Sequence, residues 1–174
     1  LNEEIFPDEM FREFLASYID RDKDGILTEE ERSSLVSLNS SGDCFAEEVS
    51  LEERRNIRKI FAEISSFKGA ECFESLNRVQ IKSKKIEVLS LDNPKLEYLA
   101  VENENLKDFT LKNAGNLKYF RIWLNGEAQR IDIDWNSIRK LEYLNVRGLS
   151  VDIGAVAQNE SLEILHVGQC SITW

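Results

Sequence analysis

A short pattern of apolar residues, apolar-x-x-apolar-x-apolar, recurs through the second half of this 174-residue sequence and constrains its fold more than any other feature. Five copies start 20, 21, 24 and 21 residues apart, at Leu76, Leu96, Leu117, Leu141 and Leu162. A single copy cannot bury its own apolar side chains, whereas stacked copies bury them between neighbours. The fixed period therefore predicts a solenoid over residues 75–174, with repeats of about 21 residues.

A second extended segment lies in the middle of several of these repeats. These additional copies start at Ile86, Leu106 and Ala128. The last copy, residues 162–172, matches in full the core of the leucine-rich repeat, L-x-x-L-x-L-x-x-N/C-x-L. Its ninth position is Cys170, and Asn125 has the same position in an earlier copy, so we expect both to turn inward. In the remaining long repeats the ninth residue is Lys84, Glu104 or Leu149.

The two outer surfaces of the predicted coil differ in composition. On the side formed by the copies at residues 86, 106 and 128, the outward residues are polar and of mixed charge. On the other side, three of the four tyrosines of the chain share one column, where their rings are expected to form a ladder. We interpret this side as a concave sheet that binds a partner, because Tyr, Trp and Arg are enriched in interface hot spots. The candidate binding residues are Tyr98, Tyr119, Arg121, Trp123, Tyr143, Arg147 and His166. The alternative is that the tyrosines are good β-formers that only tile the sheet.

The charge of the chain divides it into unlike parts. Residues 1–74 carry 19 acidic and 9 basic side chains, whereas residues 75–174 carry 13 of each. The overall charge of −10 argues against nucleic acid and anionic membranes as partners. No apolar run approaches the roughly 20 residues that a membrane-spanning helix needs, so we expect no membrane insertion. We divide the chain into a helix-loop-helix module (1–42), a helical bridge (43–74) and the solenoid (75–174).

Residues 20–31 fit the calcium loop of EF-hands position by position. Carboxylates fall at loop positions 1, 3, 5 and 12, and Gly25 falls at position 6, where the chain must turn sharply. The predicted Ca²⁺ ligands are Asp20, Asp22, Asp24, the backbone carbonyl of Ile26, Thr28 and Glu31. Leu27, at position 8, is expected to point into the local core. The loop has no second copy in the sequence, which favours a structural clip over a calcium switch.

Helices are predicted on both sides of this loop. The first starts at residues 7–9, where proline and two acidic residues suit a helix N-terminus. The second starts with a capping box of Thr28 and Glu31 and is expected to continue through residues 35–38. A third helix within residues 44–62 is predicted to start with a second capping box, formed by Ser50 and Glu53. We interpret it as a solvated helix that covers the end of the solenoid, with a binding helix as the alternative. The predicted fold is thus α/β: a leucine-rich-repeat solenoid capped by an N-terminal helical, EF-hand-like module.

The sequence contains no recognisable catalytic motif. His166 is the only histidine, and no P-loop or G-x-S-x-G motif is present, so we do not expect an enzyme. The three cysteines, Cys44, Cys72 and Cys170, lie far apart and form no zinc-binding spacing. Whether Cys44 and Cys72 form a disulfide stays open at this point.

The sequence resembles a family of bacterial secreted or surface-attached leucine-rich-repeat proteins. The resemblance rests on the segment F-P-D-x-x-F-R at residues 6–12, on the loop at residues 20–31, and on residues 64–73, which lead into the first repeat. It covers residues 5–42 and 64–174, with the helix near 44–62 as an insertion. The resemblance implies a non-catalytic binding protein located outside the cell or at its surface.

Three functions are consistent with these features. The first is recognition of a protein partner through the concave sheet, with a structural calcium clip at the N-terminus. The second is binding of a glycan or of the cell wall, for which an aromatic platform would also serve. The third is a calcium-stabilised structural domain of a larger surface protein.

Overall fold

The computed structural model describes residues 1–45, 48–103, 105–124 and 130–173, and shows a parallel β-solenoid preceded by helices. The solenoid has about four turns of about 21 residues each. Asn125, which was expected to turn inward, and Ala128, the first residue of its copy, fall outside the described residues, whereas the strand of that copy is described. Among the described residues, no helix is long and apolar enough to cross a membrane.

One side of the solenoid is a six-stranded sheet in which all neighbours are parallel. Its strands, in spatial order, are β1 (Ser37–Asn39), β2 (Arg78–Lys82), β4 (Tyr98–Glu102), β6 (Tyr119–Trp123), β8 (Tyr143–Arg147) and β10 (Ile164–Gly168). The strands pair in register, so equivalent positions of successive repeats form straight columns across the sheet.

Two smaller parallel sheets contain the other strands of the solenoid. One consists of β3 (Val88–Asp92), β5 (Asp108–Lys112) and β7 (Arg130–Ile133). The other consists of β9 (Ser150–Asp152) and β11 (Ser171–Thr173), next to the short helix α4 (Ile153–Val156). Two 3₁₀ turns, Ala70–Cys72 and Trp135–Ser137, complete the connections. The copies that start at residues 76, 96, 117, 141 and 162 therefore form the six-stranded sheet, together with β1. The copies between them, at residues 86, 106 and 128, form the sheet on the other side of the coil.

The three N-terminal helices start where the sequence provides capping residues. They are α1 (Glu9–Tyr18), α2 (Glu29–Ser34) and α3 (Leu51–Glu63). Asp8 caps α1 by accepting a hydrogen bond from the Phe11 N–H. Thr28 with Glu31, and Ser50 with Glu53, form complete capping boxes at α2 and α3. The capping predictions for α2 and α3 are confirmed.

The predicted continuation of α2 through residues 35–38 is wrong. The helix ends at Ser34, and the chain becomes extended and forms β1 on the outer edge of β2. There, Val36 O accepts hydrogen bonds from the N–H groups of Asn77 and Arg78, and Ser40 N donates to Gln80 O. The apolar spacing of Leu35 and Leu38 suits either conformation, but only the extended one supplies partners to this edge of the sheet.

The helices and the solenoid share one continuous apolar core. At their junction, the ring of Phe11 packs edge-on against Phe67 at 5.1 Å and lies 5.9 Å from Phe6. Phe73 lies 6.2 Å from Phe6 on the solenoid side of this cluster. All four phenylalanines are buried. The N-terminal helices thus cover the first turn of the coil as its hydrophobic cap.

Buried asparagines stabilise the turns that follow the strands. They are at the eighth position of the repeat, whereas the leucine-rich-repeat pattern has asparagine or cysteine at the ninth. Asn93 and Asn103 each occupy the eighth position of their copy and are buried. The amide of Asn93 donates to the carbonyls of Ala70 and Phe73, and that of Asn103 donates to Ile86 O at 2.8 Å. These bonds run between neighbouring turns and give the buried amide groups hydrogen-bond partners.

The cysteines are free thiols in the described structure. Cys44 is fully buried, and this burial raises its pKa to about 12, so it is an unreactive core thiol. Cys170 is partly buried and its Sγ lies 3.6 Å from Val146 O, in the inward orientation expected from the repeat. The structure thus provides no disulfide between Cys44 and Cys72.

Asp8 joins the helical cap to the solenoid, so its removal is expected to weaken both. Besides capping α1, its Oδ2 atom accepts hydrogen bonds from Ser65 N, Ser65 Oγ and Ser66 N at 2.7–3.1 Å. We expect Asp8→Ala to lower the free energy of unfolding by about 2 kcal/mol. Glu9→Ala, an exposed acid in the same turn, should cost about 0.5 kcal/mol. Urea unfolding followed by circular dichroism measures both, and equal losses would contradict the bridging role of Asp8.

Candidate functional site

The outward residues of five strands of the six-stranded sheet form the surface that we call the tyrosine face. It consists of Arg78, Gln80 and Lys82 on β2; Tyr98, Ala100 and Glu102 on β4; Tyr119, Arg121 and Trp123 on β6; Tyr143, Asn145 and Arg147 on β8; and Ile164, His166 and Gly168 on β10. All seven residues predicted to bind a partner lie on it. The parallel register brings them together although they are up to 68 residues apart in the sequence.

The three tyrosines of this face form a continuous stack, as the sequence spacing predicted. The ring centroids of Tyr98 and Tyr119 are 4.4 Å apart with planes 6° from parallel, and those of Tyr119 and Tyr143 are 4.3 Å apart at 4°. The guanidinium of Arg78 covers the end of the stack, 3.7 Å from the Tyr98 centroid. The spacing follows from the separation of about 4.8 Å between neighbouring strands.

The stack leaves ring edges and hydroxyls, but few ring faces, open to a ligand. Both faces of Tyr119 are covered by its neighbours, and Tyr98 lies between Tyr119 and Arg78. Of the three rings, Tyr143 has one face, on the side of Ile164, that neither a tyrosine nor an arginine of the described residues covers. The tyrosine column therefore offers a row of polar edges, with each ring held rigidly by the next.

Trp123 is the most exposed aromatic ring among the described residues of this face, with 40% of its surface accessible. The guanidinium of Arg121 lies over it, 4.0 Å from the ring centroid, and so covers one of its sides. Arg121 also pairs with Glu102 at 2.7 Å, and Glu102 in turn lies 3.5 Å from Lys82. These contacts fix Arg121 and Trp123 in one orientation before any partner binds.

Hydrogen bonds connect Trp123 to the tyrosine stack. The indole N–H donates to Asn145 Oδ1 at 3.1 Å, and the Asn145 amide donates to the Tyr143 hydroxyl at 2.9 Å. The Nε of Arg121 is buried, without a hydrogen-bond partner among the described residues. The central part of the face is thus an ordered network in which one buried donor is left unpaired.

Arg147 and His166 lie at the more exposed end of the face. Arg147 is opposite Trp123 in the register, and its Nε donates to the side-chain amide oxygen of Gln169 at 2.7 Å. His166 is exposed on β10, opposite Asn145. Two surface depressions share Trp123 and Arg147 as walls: one extends toward Lys82 and the other toward His166. Trp123 and Arg147 therefore form the centre of the concave features on this face.

The predicted calcium loop brings three aspartates together. Carboxylate oxygens of Asp20, Asp22 and Asp24 all lie within 4.8 Å of one another, a spacing at which one cation can contact all three. Asp20 is buried and its Oδ2 accepts the Gly25 N–H, whereas its Oδ1 is buried with no hydrogen-bond partner among the described residues. Gly25 has φ of +81°, the left-handed conformation that favours glycine at this turn.

The other predicted ligands are arranged less simply. Glu31 is outside the three-aspartate group, and its carboxylate accepts hydrogen bonds from Thr28 N, Thr28 Oγ1 and Arg21 N. These bonds lower the pKa of Glu31 to about 2, so the carboxylate is ionised at neutral pH. The side chain of Ile26 points to solvent, as expected for a residue that contributes only its carbonyl, and Leu27 is buried as predicted.

Comparisons with known proteins identify no relative of this chain. It matches no family model, and no curated protein or solved structure is significantly similar to it.

The stack gives Tyr119 a pH dependence that can be measured. Burial, and next the phenols of Tyr98 and Tyr143, raise the pKa of Tyr119 above its usual value of about 10. A phenol with a raised pKa in the folded state stabilises the fold fully below pH 10, and this contribution is lost as the pH rises through the folded pKa. As the pH rises from below 10 through the folded pKa of Tyr119, we therefore expect the wild-type chain to lose more stability than Tyr119→Phe. Urea unfolding at each pH provides the comparison, and parallel pH profiles would contradict the shift.

Proposed function

We propose that this chain is a non-catalytic, extracellular binding protein of the leucine-rich-repeat type, which recognises a protein partner through the tyrosine face. We further propose that residues 20–31 form an EF-hand-like Ca²⁺ site that acts as a structural clip. The secreted or cell-surface location and the bacterial origin are part of this proposal and rest on the sequence resemblance alone.

The observation that carries the proposal is the ordered, partly exposed group around Trp123. Arg121, Asn145 and Glu102 hold the tryptophan and its surroundings in place, so a partner would bind without first ordering these side chains. Preorganised Trp, Tyr and Arg residues at the centre of a surface are typical of protein-interface hot spots. The single carboxylate of the face, Glu102, is neutralised by its own neighbours, which does not favour acid–base catalysis there.

The ring geometry favours a protein over a glycan. A sugar packs flat against an open aromatic face, but the faces of Tyr98 and Tyr119 are closed by stacking, and one face of Trp123 is closed by Arg121. The open edges and hydroxyls suit the mixed polar and apolar contacts of a protein surface. Glycan or cell-wall binding remains the alternative function, with Tyr143 and the free side of Trp123 as its platform.

The binding proposal is tested with variants of the tyrosine face. We expect Trp123→Ala and Tyr143→Ala to fold normally, because neither ring belongs to the buried core, and to weaken partner binding at least tenfold. Wild-type and variant chains are immobilised and used to capture solubilised cell-surface proteins, and captured proteins are then measured one by one with purified chains. Thr110→Ala, on the outward side of β5, is the matched control and should bind like the wild type.

Two outcomes would contradict protein recognition by this face. One is a captured protein that binds Trp123→Ala and Tyr143→Ala as tightly as the wild type. The other is binding on a glycan array, sensitive to Trp123→Ala, with no protein captured, which would establish the glycan alternative.

The proposed calcium clip is supported by the unpartnered Oδ1 of Asp20, which lies in a group of oxygens suited to a hard cation. The loop leads directly into α2 and then into β1, the edge strand of the six-stranded sheet. A bound ion would neutralise charge in the most acidic part of the chain and hold this connection rigid. A single loop without a paired partner fits the weak, millimolar class of extracellular calcium sites.

Calcium is expected to raise the thermal stability of the chain. At a Ca²⁺ concentration tenfold above the dissociation constant, linkage gives about 1.4 kcal/mol, or a rise of about 4 °C in the unfolding midpoint. Asp20→Asn and Asp24→Asn should each remove most of this rise in differential scanning calorimetry. Glu30→Gln, an exposed acid between the proposed ligands, is the matched control and should retain it.

A calcium response of the wild type that survives in Asp20→Asn would place the ion elsewhere. The absence of any response up to about 10 mM Ca²⁺, tenfold above a millimolar dissociation constant, would refute the clip without bearing on the tyrosine face.

A further inference from the structure

Charge is distributed in opposite senses on the tyrosine face and on the rest of the chain. The face carries four cationic side chains (Arg78, Lys82, Arg121 and Arg147) and one carboxylate (Glu102), a net charge of +3. The whole chain carries −10, so all remaining residues together carry −13. A positive patch on a strongly acidic protein selects for a ligand of opposite charge.

The opposite side of the solenoid does not share this property. The outward charged residues of β3, β5 and β7 are Asp92, Asp108, Lys112, Arg130 and Asp132, with a net charge of −1. Lys112 is paired with Asp132 there at 3.0 Å. The positive charge is therefore specific to one sheet and does not come from the repeat architecture itself.

Two arginines of the tyrosine face bind neutral groups in place of acids. Arg78 donates to the side-chain amide oxygen of Gln80 at 2.7 Å, and Arg147 donates to that of Gln169. Among the described residues, no carboxylate lies within 4.0 Å of either guanidinium. Elsewhere on the surface, lysines such as Lys107 and Lys118 are paired with glutamates of neighbouring turns. Arg78 and Arg147 thus keep their capacity to bind a carboxylate.

The geometry of these arginines suits binding of carboxylates. The guanidinium of Arg78 lies over the ring of Tyr98 and that of Arg121 lies over the ring of Trp123, 3.7 and 4.0 Å from the ring centroids. These contacts restrict each guanidinium and leave N–H groups for hydrogen bonds. A fixed guanidinium loses little entropy when it binds a carboxylate in a bidentate manner. Arg147 adds an exposed cation beside Trp123, in the wall shared by both depressions.

We propose that the tyrosine face recognises an acidic segment of its partner. Arg78 and Arg147 bind carboxylates of this segment on either side of the tyrosine stack and Trp123. This inference rests on the proposed function, since it specifies the chemistry of the partner for the same surface. Charge complementarity selects this occupant over a basic or neutral protein segment.

The test uses the full chain and a random peptide library displayed on phage, selected at low ionic strength. Enriched peptides are expected to have a net negative charge and to bind more weakly as salt is added, because exposed ion pairs are screened. For a synthetic enriched peptide, we expect about a tenfold loss of affinity in Arg147→Gln and in Arg78→Gln. Lys112→Gln removes the same charge from the opposite sheet and should retain wild-type affinity.

The outcomes separate this inference from the proposed function. If the enriched peptides are neutral or basic and no longer bind Trp123→Ala, the proposal of an acidic segment is overturned, while protein binding by the face is supported. Enriched peptides that bind Trp123→Ala, Tyr143→Ala and Arg147→Gln as tightly as the wild type would overturn both proposals. Arg147 is exposed and outside the core, so Arg147→Gln remains informative if Arg78→Gln fails to fold. Salt-sensitive self-association of the wild type that Arg147→Gln abolishes would overturn the proposal in favour of a second copy as occupant.

Discussion

The in-register parallel pairing of the strands in the solenoid determines almost everything else in this structure. Because each repeat places the same strand position over that of the preceding one, a preference at one position becomes a column across the sheet. Inward columns of leucine, valine and phenylalanine form the core, and outward columns form a surface whose composition differs from side to side. The tyrosine stack and the network around Trp123 are therefore consequences of backbone register, with rings spaced by the separation of strands.

Such pairing needs a cover at the first turn, where strand edges and apolar side chains would otherwise meet water. The N-terminal part supplies it in two ways: the phenylalanine cluster around Phe11 packs on the first turn, and β1 hydrogen-bonds to the edge of β2. Asp8 holds the two parts together from the start of α1. At the other end of the described coil, Leu165 and Ile172 are 45% and 47% exposed, although equivalent positions of earlier turns are buried.

The features that depend on period were predictable from the sequence, and those that depend on competition between local conformations were not. Stacking of Tyr98 on Tyr119 follows from spacing alone, and the start of α3 follows from Ser50 and Glu53. The apolar spacing of residues 35–39 suits either a helix or a strand. They form a strand because the edge of β2 provides backbone hydrogen-bond partners for it. The buried role of Asn103 was missed because the consensus places asparagine at the ninth position of the repeat, whereas Asn103 is at the eighth. The loop aspartates converge as predicted, but the hydrogen bonds of Glu31 within its own capping box could not be derived from ligand spacing.

The same stacking that stabilises the sheet also limits what its surface can recognise. A ring covered on both sides, such as Tyr119, contributes rigidity and a hydroxyl but no flat platform. Specific contacts must then come from groups at the borders of the stack: Arg78 at one end, and Trp123 with Arg147 along its flank. These groups are either cationic or half-open aromatic, and the only carboxylate beside them, Glu102, is already neutralised. A surface whose aromatic rings are mostly covered and whose cations are open would select a ligand by charge first and by apolar contact second, which is why we propose an acidic protein segment as its partner.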